Sequence, residues 1–413
     1  METGVRQGFG AGLAGRCAMT SKGTVTLRIL HFHPGEWTDA TRMLAQCTAL
    51  KGDAGAITIG YGDDSRPPAA VWAEFLPSTI RRWNAPGVLR YVVRFLQEIV
   101  LGFKLARLAR AHEVDCLHGH HAHCLIPCAV FGLLSHRALV YDTHDMPLHD
   151  ECNQGYGGLV WAMRRFVIEP FVVRRARATL HVSQGIVEVY RRVYPSARHV
   201  LLRNLPPYSD HALLRNSRVT EERAEARLKL VYFGNIYPER LPIGLMDAIA
   251  SDESVALSIY GDLPGWVSGI DEYWRRFHVI MDASQGRISY KGRYTPRDVE
   301  DIVSAYHFAI LPYELTSQNV RYCMPNKFYQ ALSAGLGLIV SGPSEMSAVV
   351  SELGIGFWFR DGDVGSFHAT LEQARAAVGR PGCREGVLRA GHVLIDRSLY
   401  RRTLLEAYGQ ECA

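Results

Sequence analysis

From Val25 onward, short runs of aliphatic and β-branched residues alternate with longer stretches in which apolar positions recur every three or four residues. The short runs predict strands at Val25–His31, Ala56–Tyr61, Val114–His118, Ala138–Asp142 and Ala178–Val182. The longer ones predict helices, among them Gly87–His112 and Gly158–Arg175. Apolar strands separated by helices build βαβ units, whose parallel sheet is covered on both faces. The alternation stops at Asn204-Leu-Pro-Pro-Tyr208 and the polar stretch Ser209–Ala226. It then resumes, with strands predicted at Leu228–Gly234, Val255–Tyr260, Arg287–Tyr290, Phe308–Pro312 and Leu338–Ser341. A last helical stretch runs from about Glu385 to Gln410.

A chain of 413 residues exceeds the ~250–300 at which one core stops growing. The expected architecture is α/β, with two Rossmann-like doubly wound domains facing a cleft. Its expected parts are a loose N-terminal extension (1–23), a first domain (24–205), a linker (206–227), a second domain (228–378) and a C-terminal helical segment (379–413) that packs back toward the first domain. Ligands of such sheets bind beyond the carboxyl ends of the strands. The extension holds a literal G-x-G-x-x-G at Gly10, Gly12 and Gly15. No predicted strand leads into it, so it is not read as a nucleotide loop.

Composition narrows the class. With 47% hydrophobic and 21% charged residues, the chain is neither disordered nor fibrous. No window approaches the ~20 apolar residues of a membrane span. A net charge of +5 without a polybasic run argues against a nucleic-acid partner. Nine irregularly spaced cysteines read as reduced thiols of a cytoplasmic protein. The only lysines are Lys22, Lys51, Lys104, Lys229, Lys291 and Lys327, so arginine dominates the 46 basic residues.

Three constellations carry candidate chemistry. Asp115-Cys-Leu-His118-Gly-His120-His121-Ala-His123-Cys124 ends one predicted strand, and Tyr141-Asp142-Thr143-His144-Asp145 ends the next. Together they bring imidazoles and carboxylates to the mouth of the first sheet, suited to sugar binding or proton transfer. A zinc reading through Cys124, Cys128 and Cys152 lacks paired structural-zinc spacing and is set aside. The second constellation is Phe233-Gly234-Asn235-Ile-Tyr237-Pro-Glu-Arg240, in which a glycine turn precedes an arginine expected at a helix start. In the third, Met324-Pro325-Asn326-Lys327 opens a helix, and Gln330 follows one turn on. A proline-started helix offers free N–H groups and a positive dipole end to an anion.

These blocks, in order from Val25 to about Phe359, resemble GT-B glycosyltransferases of the family-4 type. Asp115-Cys-Leu-His-Gly-His120 is similar to that family's Asp-Val-Ile-His-Ala-His, and Tyr141-Asp-Thr-His-Asp145 to its Tyr-Asp-Ala-His-Glu. His181-Val-Ser-Gln-Gly-Ile and Leu201-Leu-Arg-Asn204 resemble the strands that close the family's first domain. Met324-Pro-Asn-Lys-Phe-Tyr-Gln-Ala-Leu-Ser-Ala-Gly335 is similar to its Pro-Asn-Lys-hydrophobic-Phe-Glu block.

The resemblance implies a nucleotide-sugar-dependent, retaining transferase of hexosyl type, acting in polysaccharide, glycolipid or natural-product glycosylation. His120, Arg240 and Lys327 would be catalytic, His120 against the transferred sugar and the two cations against the leaving diphosphate. Gly35, Asn235, Gly292, Arg293, Asn319, Asn326 and Gln330 would bind the donor, and Asp142, His144 and Asp145 would line the acceptor or sugar cleft. Asn235 stands where the family commonly has a cationic side chain, and Gln330 where it has a ribose-binding glutamate. No cofactor or metal is expected, and Asp361-Gly-Asp363 reads as a polar turn. The donor would be a UDP- or GDP-sugar, and the acceptor a glycan, a lipid-linked or a small molecule. The basic, apolar stretches 87–110 and 161–175 allow peripheral contact with the inner face of an anionic membrane, or simply cover the sheet. A nucleotide-sugar epimerase and a nucleotide-sugar binder without turnover are the competing functions.

Overall fold

The structure, a computed structural model, describes residues 27–33, 41–51, 56–62, 74–77, 89–146, 148–149, 158–207, 227–263, 269–294, 298–299, 302, 305–378 and 383–410. Gly35, Cys152, the N-terminal extension and most of the linker lie outside the described residues.

Among the described residues the first sheet has seven parallel strands: β1 (Leu27–Phe32), β2 (Ala56–Gly62), β3 (Glu74–Pro77), β4 (Cys116–His120), β5 (Ala138–Asp142), β6 (Ala178–His181) and β7 (His199–Leu201), in the order β3-β2-β1-β4-β5-β6-β7. The second has six: β8 (Leu228–Phe233), β9 (Val255–Tyr260), β10 (Ile288–Gly292), β11 (Phe308–Leu311), β12 (Gly337–Gly342) and β13 (Gly356–Arg360), in the order β10-β9-β8-β11-β12-β13. Each order reverses direction once, between β1 and β4 and between β8 and β11. At such a switch point adjacent crossovers leave on opposite faces and open a crevice beyond the strand ends.

Helices of the first domain are α1 (Thr41–Leu50), α2 (Leu89–Ala111), α3 (Leu125–Leu134), α4 (Gly158–Met163), α5 (Glu169–Arg175) and α6 (Gln184–Val193). Those of the second are α7 (Ile243–Ser251), α8 (Ile270–Ala283), α9 (Gln318–Tyr322), α10 (Asn326–Ser333), α11 (Glu345–Leu353) and α12 (Val364–Ala377). Between α4 and α5 the chain passes through a π-turn, Arg164–Ile168, so the single helix expected at 158–175 is interrupted there. The helix expected at 385–410 is two, α13 (Cys383–Leu394) and α14 (Arg397–Tyr408). Asp396 separates them because its carboxylate caps α14, accepting from Leu399 N, a role aspartate fills better than a mid-helix place.

β3, β7 and β13, which the hydrophobic pattern does not predict, are edge strands. An edge strand makes only half the ladder bonds and carries a weaker apolar signature. α14 crosses to the first domain and lies on α1 and β5. Its Tyr408 hydroxyl bonds His118 Nδ1 at 2.7 Å, and Arg177 donates to the Tyr408 carbonyl at 2.7 Å. One apolar core runs through both domains, from Leu27, Val140 and Leu180 through Phe328 and Val340 to Leu404 and Tyr408. Glu345 of α11 accepts from the amides of Gln184 and Gly185 at 2.8 and 2.9 Å. A carboxylate is thereby held at the positive end of α6.

Candidate active site between the two sheets

Register builds the first half of the site. In the parallel ladders His31 is paired with His118, and His120 with Asp142. Strand residues two apart share a face, so His118 and His120 point the same way, and the three histidines and Asp142 meet at the switch point. All four are fully buried. His118 and His120 stack with centroids 4.1 Å apart. His31 Nδ1 lies 3.0 Å from His120 Nε2, and His120 Nδ1 lies 3.2 Å from His144 Nε2. A neutral imidazole has one donor and one acceptor, so the two bonds of this three-ring chain run in one common sense, set by the tautomer of His120.

Asp142 is the anion of this cluster. Arg42 of α1 grips it through Nε, 3.1 and 2.9 Å from the two carboxylate oxygens, and Gln46 one turn later donates to it as well. Arg42 also donates to the carbonyls of Leu202 and Arg203. Burial alone would raise the Asp142 carboxyl, but Arg42, His144 and His118 draw it well below the usual carboxylate range. Burial moves the imidazoles the other way. His118 falls to about 4, and His31, His120 and His144 lie well below their ordinary value. At neutral pH the cluster therefore holds one carboxylate, one guanidinium and four uncharged rings.

The second half is cationic. Arg240, Lys327, Asn235, Tyr232, Tyr237, Tyr313, Cys323, Met324 and Pro325 of the second domain line a cavity of about 220 Å³ with His144, Val182 and Asn204 of the first. Arg240 is held flat: its guanidinium lies 4.0 Å from the Tyr313 ring centre, and its Nε donates to the Tyr237 hydroxyl at 2.9 Å. Lys327, in the first turn of α10, passes directly over Gly234. A Cβ built there would stand 2.1 Å from Lys327 Cε, at a φ of +150°, so both space and backbone demand glycine. Burial and the neighbouring Arg240 lower Lys327 to about 8. No carboxylate lines this cavity among the described residues, and none pairs with Arg240 or Lys327.

The expected site residues divide. Arg240, Lys327, Asn235 and His144 meet in the cavity. Arg240 is in the turn before α7 rather than at a helix start, because Pro242 is that helix's N-cap; the two tyrosines, not a helix dipole, fix its position. Pro325 is likewise the N-cap of α10, and the helix begins at Asn326. His120, expected against the sugar, is fully buried behind His144 and does not line the cavity. Asp142 is buried too, and Asp145 pairs with His121 at 3.7 Å. Asn319 and Asn326 are spent between domains: Asn319 Oδ1 accepts from Met146 N at 3.0 Å, and Asn326 Nδ2 donates to Asn204 O at 3.3 Å. Gln330 is 6% exposed inside the core. Gly292 ends β10 at φ +84°, and Arg293 extends outward to Asp262 at 2.7 Å. Gly35 is outside the described residues. Asp361 accepts from Leu315 N and Asp363 caps α12, so each carboxylate of that turn has a structural bond.

Sequence reasoning did not find His31, Arg42, Gln46 or Tyr408, and gave Tyr237 and Tyr313, which lie in the motif segments, no role. For Arg42 and Gln46 a signal exists: the two long polar side chains of α1, four apart, share a face with buried positions. Non-glycine residues with positive φ mark the strand mouths, His121 at +71° and His144 at +58°. Such backbone is uncommon outside glycine and asparagine, and the turn at His144 brings its ring to the cavity. Two groups have the ligand types and spacing for a metal ion, His31/His118/His120 and His120/Asp142/His144, with ligand atoms within 4.8 Å of one another. Imidazole with carboxylate suits a divalent transition metal. Neither group contains a cysteine.

No curated protein matches the chain by sequence. Residues 57–204 match the model of the family described as Glycosyltransferase Family 4. Solved structures similar in fold include a glycosyltransferase from Rickettsia africae ESF-5, at 10% identity and TM-score 0.68 over 93% of this chain and 98% of that one. Sucrose-phosphate synthase from Thermosynechococcus elongatus aligns at 12% identity and TM-score 0.68, over 92% and 98%. HepE from Anabaena, solved with UDP and glucose, aligns at 14% identity and TM-score 0.65, again over 92% and 98%. The chain thus carries a Glycosyltransferase Family 4 match over residues 57–204 and, over nearly its whole length, the two-sheet GT-B fold of solved glycosyltransferases.

Proposed function

We propose that this chain transfers a hexose-type sugar from a nucleoside diphosphate donor to an acceptor hydroxyl, with retention and without a metal. The observation that carries the reading is the pair Arg240 and Lys327, drawn from two separate elements into one interdomain cavity that no described carboxylate lines. A cation pair held without a counter-anion is a site for one. In glycosyl transfer the anomeric C–O bond to the diphosphate breaks, positive charge grows on the sugar and negative charge on the leaving group. Arg240, Lys327 and the first turn of α10 would meet the latter. His144, hydrogen-bonded to His120, presents an uncharged ring to the cavity where the sugar would lie. The family match and HepE's UDP and glucose support this choice of donor. Acceptors in polysaccharide, glycolipid or natural-product glycosylation, reached in the cytoplasm, fit the same scheme.

A second reading, a nucleotide-sugar binder without turnover, is favoured by one feature: an uncharged Asn235 lines the cavity where the family commonly places a cation. Thermal-shift screening with UDP-, GDP- and ADP-sugars, followed by assay of donor hydrolysis with and without EDTA, separates them. The transferase reading expects stabilisation by one nucleotide class and slow hydrolysis that EDTA leaves unchanged. Stabilisation without hydrolysis would favour the binder, and loss of hydrolysis in EDTA would move the chemistry to the histidine–carboxylate groups.

A further inference from the structure

α2 is 23 residues long, about 34 Å at 1.5 Å per residue, and its two faces follow opposite rules. One face, with Glu98, Gly102, Leu105 and Ala109, is buried; Gly102 lies so close to Val130 and the Pro127 carbonyl of α3 that no side chain fits. The other face shows Leu89, Val92, Leu96, Val100 and Phe103, each 49–57% exposed. At 100° per residue these five fall within about 80° of arc. The next two positions of the same stripe are Arg107 and Arg110, both exposed.

Scattered exposed apolar residues need no explanation, but a contiguous stripe marks a contact surface. Charge selects the partner. α2 contains Arg90, Arg94, Lys104, Arg107 and Arg110 against one acid, Glu98. That acid faces inward and is taken up by Arg164 at 2.5 Å and Arg94 at 3.3 Å. The outer face of α2 is therefore apolar and cationic, with no acid among its described residues. A second copy of this face could not pair Arg107 or Arg110. The π-turn segment that Arg164 ties to α2 adds exposed Phe166 and Val167 beside Arg165. No helix of the described residues is long and apolar enough to cross a membrane.

We infer that the outer face of α2 docks on the surface of an anionic lipid bilayer, with the stripe entering the headgroup boundary and Arg107 and Arg110 meeting lipid phosphates. This goes beyond the donor reading and does not depend on it. The test is flotation of the full chain with phosphatidylcholine vesicles, with and without phosphatidylglycerol. Wild type is expected to float with the phosphatidylglycerol vesicles and to remain at the bottom with phosphatidylcholine alone. Leu96→Glu/Val100→Glu, at exposed positions that leave the core intact, should lower the floating fraction at least about tenfold. Arg107→Glu/Arg110→Glu should do the same, and raised salt should weaken binding of the wild type. Absence of wild-type flotation, or flotation unchanged in both variants, overturns the inference. So does a solution dimer that these variants dissolve in a chain that binds no vesicles. Nucleotide thermal shifts on the same samples report the donor site separately, so a chain that floats but ignores every nucleotide keeps this inference and loses the donor reading.

Discussion

At the mouth of the first sheet the Asp142 carboxylate is gripped by Arg42 and Gln46 and walled in by neutral imidazoles. At the mouth of the second, Arg240 and Lys327 face a cavity and meet no described carboxylate. Both clusters sit at equivalent switch points of similar sheets, yet one closes its own charge balance and the other leaves it open. Buried charge that is internally matched holds structure together, and its removal strands a partner in the core. Charge that is left open costs the fold something and is returned when an anion arrives. Mutation should therefore move stability in the first domain and ligand chemistry in the second.

The largest expected effect is on turnover. Arg240→Ala should cut sugar transfer by about a thousandfold, near the upper range for losing one donor to a developing anion, while leaving the unfolding midpoint close to wild type. Wild-type turnover in that variant would erase the contrast. Next comes Asp142→Asn, which leaves Arg42 buried without its counter-ion and should destabilise the chain by about 3 kcal/mol in urea unfolding. A stability change below ~1 kcal/mol there would mean that the first cluster is not internally matched.

The third effect is a pH dependence carried by Lys327. Its ammonium titrates near 8 in the fold against an ordinary 10.5. Between those values the unfolded chain binds the extra proton, so this group makes stability rise with pH across that window and destabilises the fold below it. Anion binding runs the other way, since only the ammonium attracts the diphosphate. UDP affinity, measured by calorimetry, should fall about tenfold as pH rises through 8, and Lys327→Arg should flatten that slope. A slope of the same size in the arginine variant would assign it to another group. The smallest effect is expected from Tyr313→Leu, which removes the platform under Arg240 and should weaken nucleotide binding by roughly 0.5–1 kcal/mol. No change would show that the Tyr237 hydroxyl bond alone holds the guanidinium.

The architecture was legible because buried parallel strands are written as short continuous apolar runs. Ala138–Asp142 and Val255–Tyr260 have the bounds that the pattern predicts. The edges β3, β7 and β13 were not, since half-paired strands are under weaker apolar demand. In the site, Arg240, Lys327, Asn235 and His144 were legible because motif spacing places them at strand mouths that the fold turns toward one cavity. Their neighbours were not. Asn326 and Gln330 belong to the same block as Lys327, and Asn319 precedes it, but the contact between domains takes up the two asparagines and the core takes Gln330.

By itself the sequence determined two α/β units, the strands that carry polar residues at their ends, and the glycine turn at Gly234, over which the tertiary structure then lays Lys327. These depend on local periodicity and on residue types that tolerate a given backbone. Only the tertiary structure decided that His31 lies beside His118, that Arg42 reaches Asp142 across 100 positions of chain, and that Tyr408 closes the cluster from the far C-terminal helix. Those choices depend on strand register and on how separate segments pack. The free energy of burying a charge is a property of the surroundings, which a position in sequence does not specify.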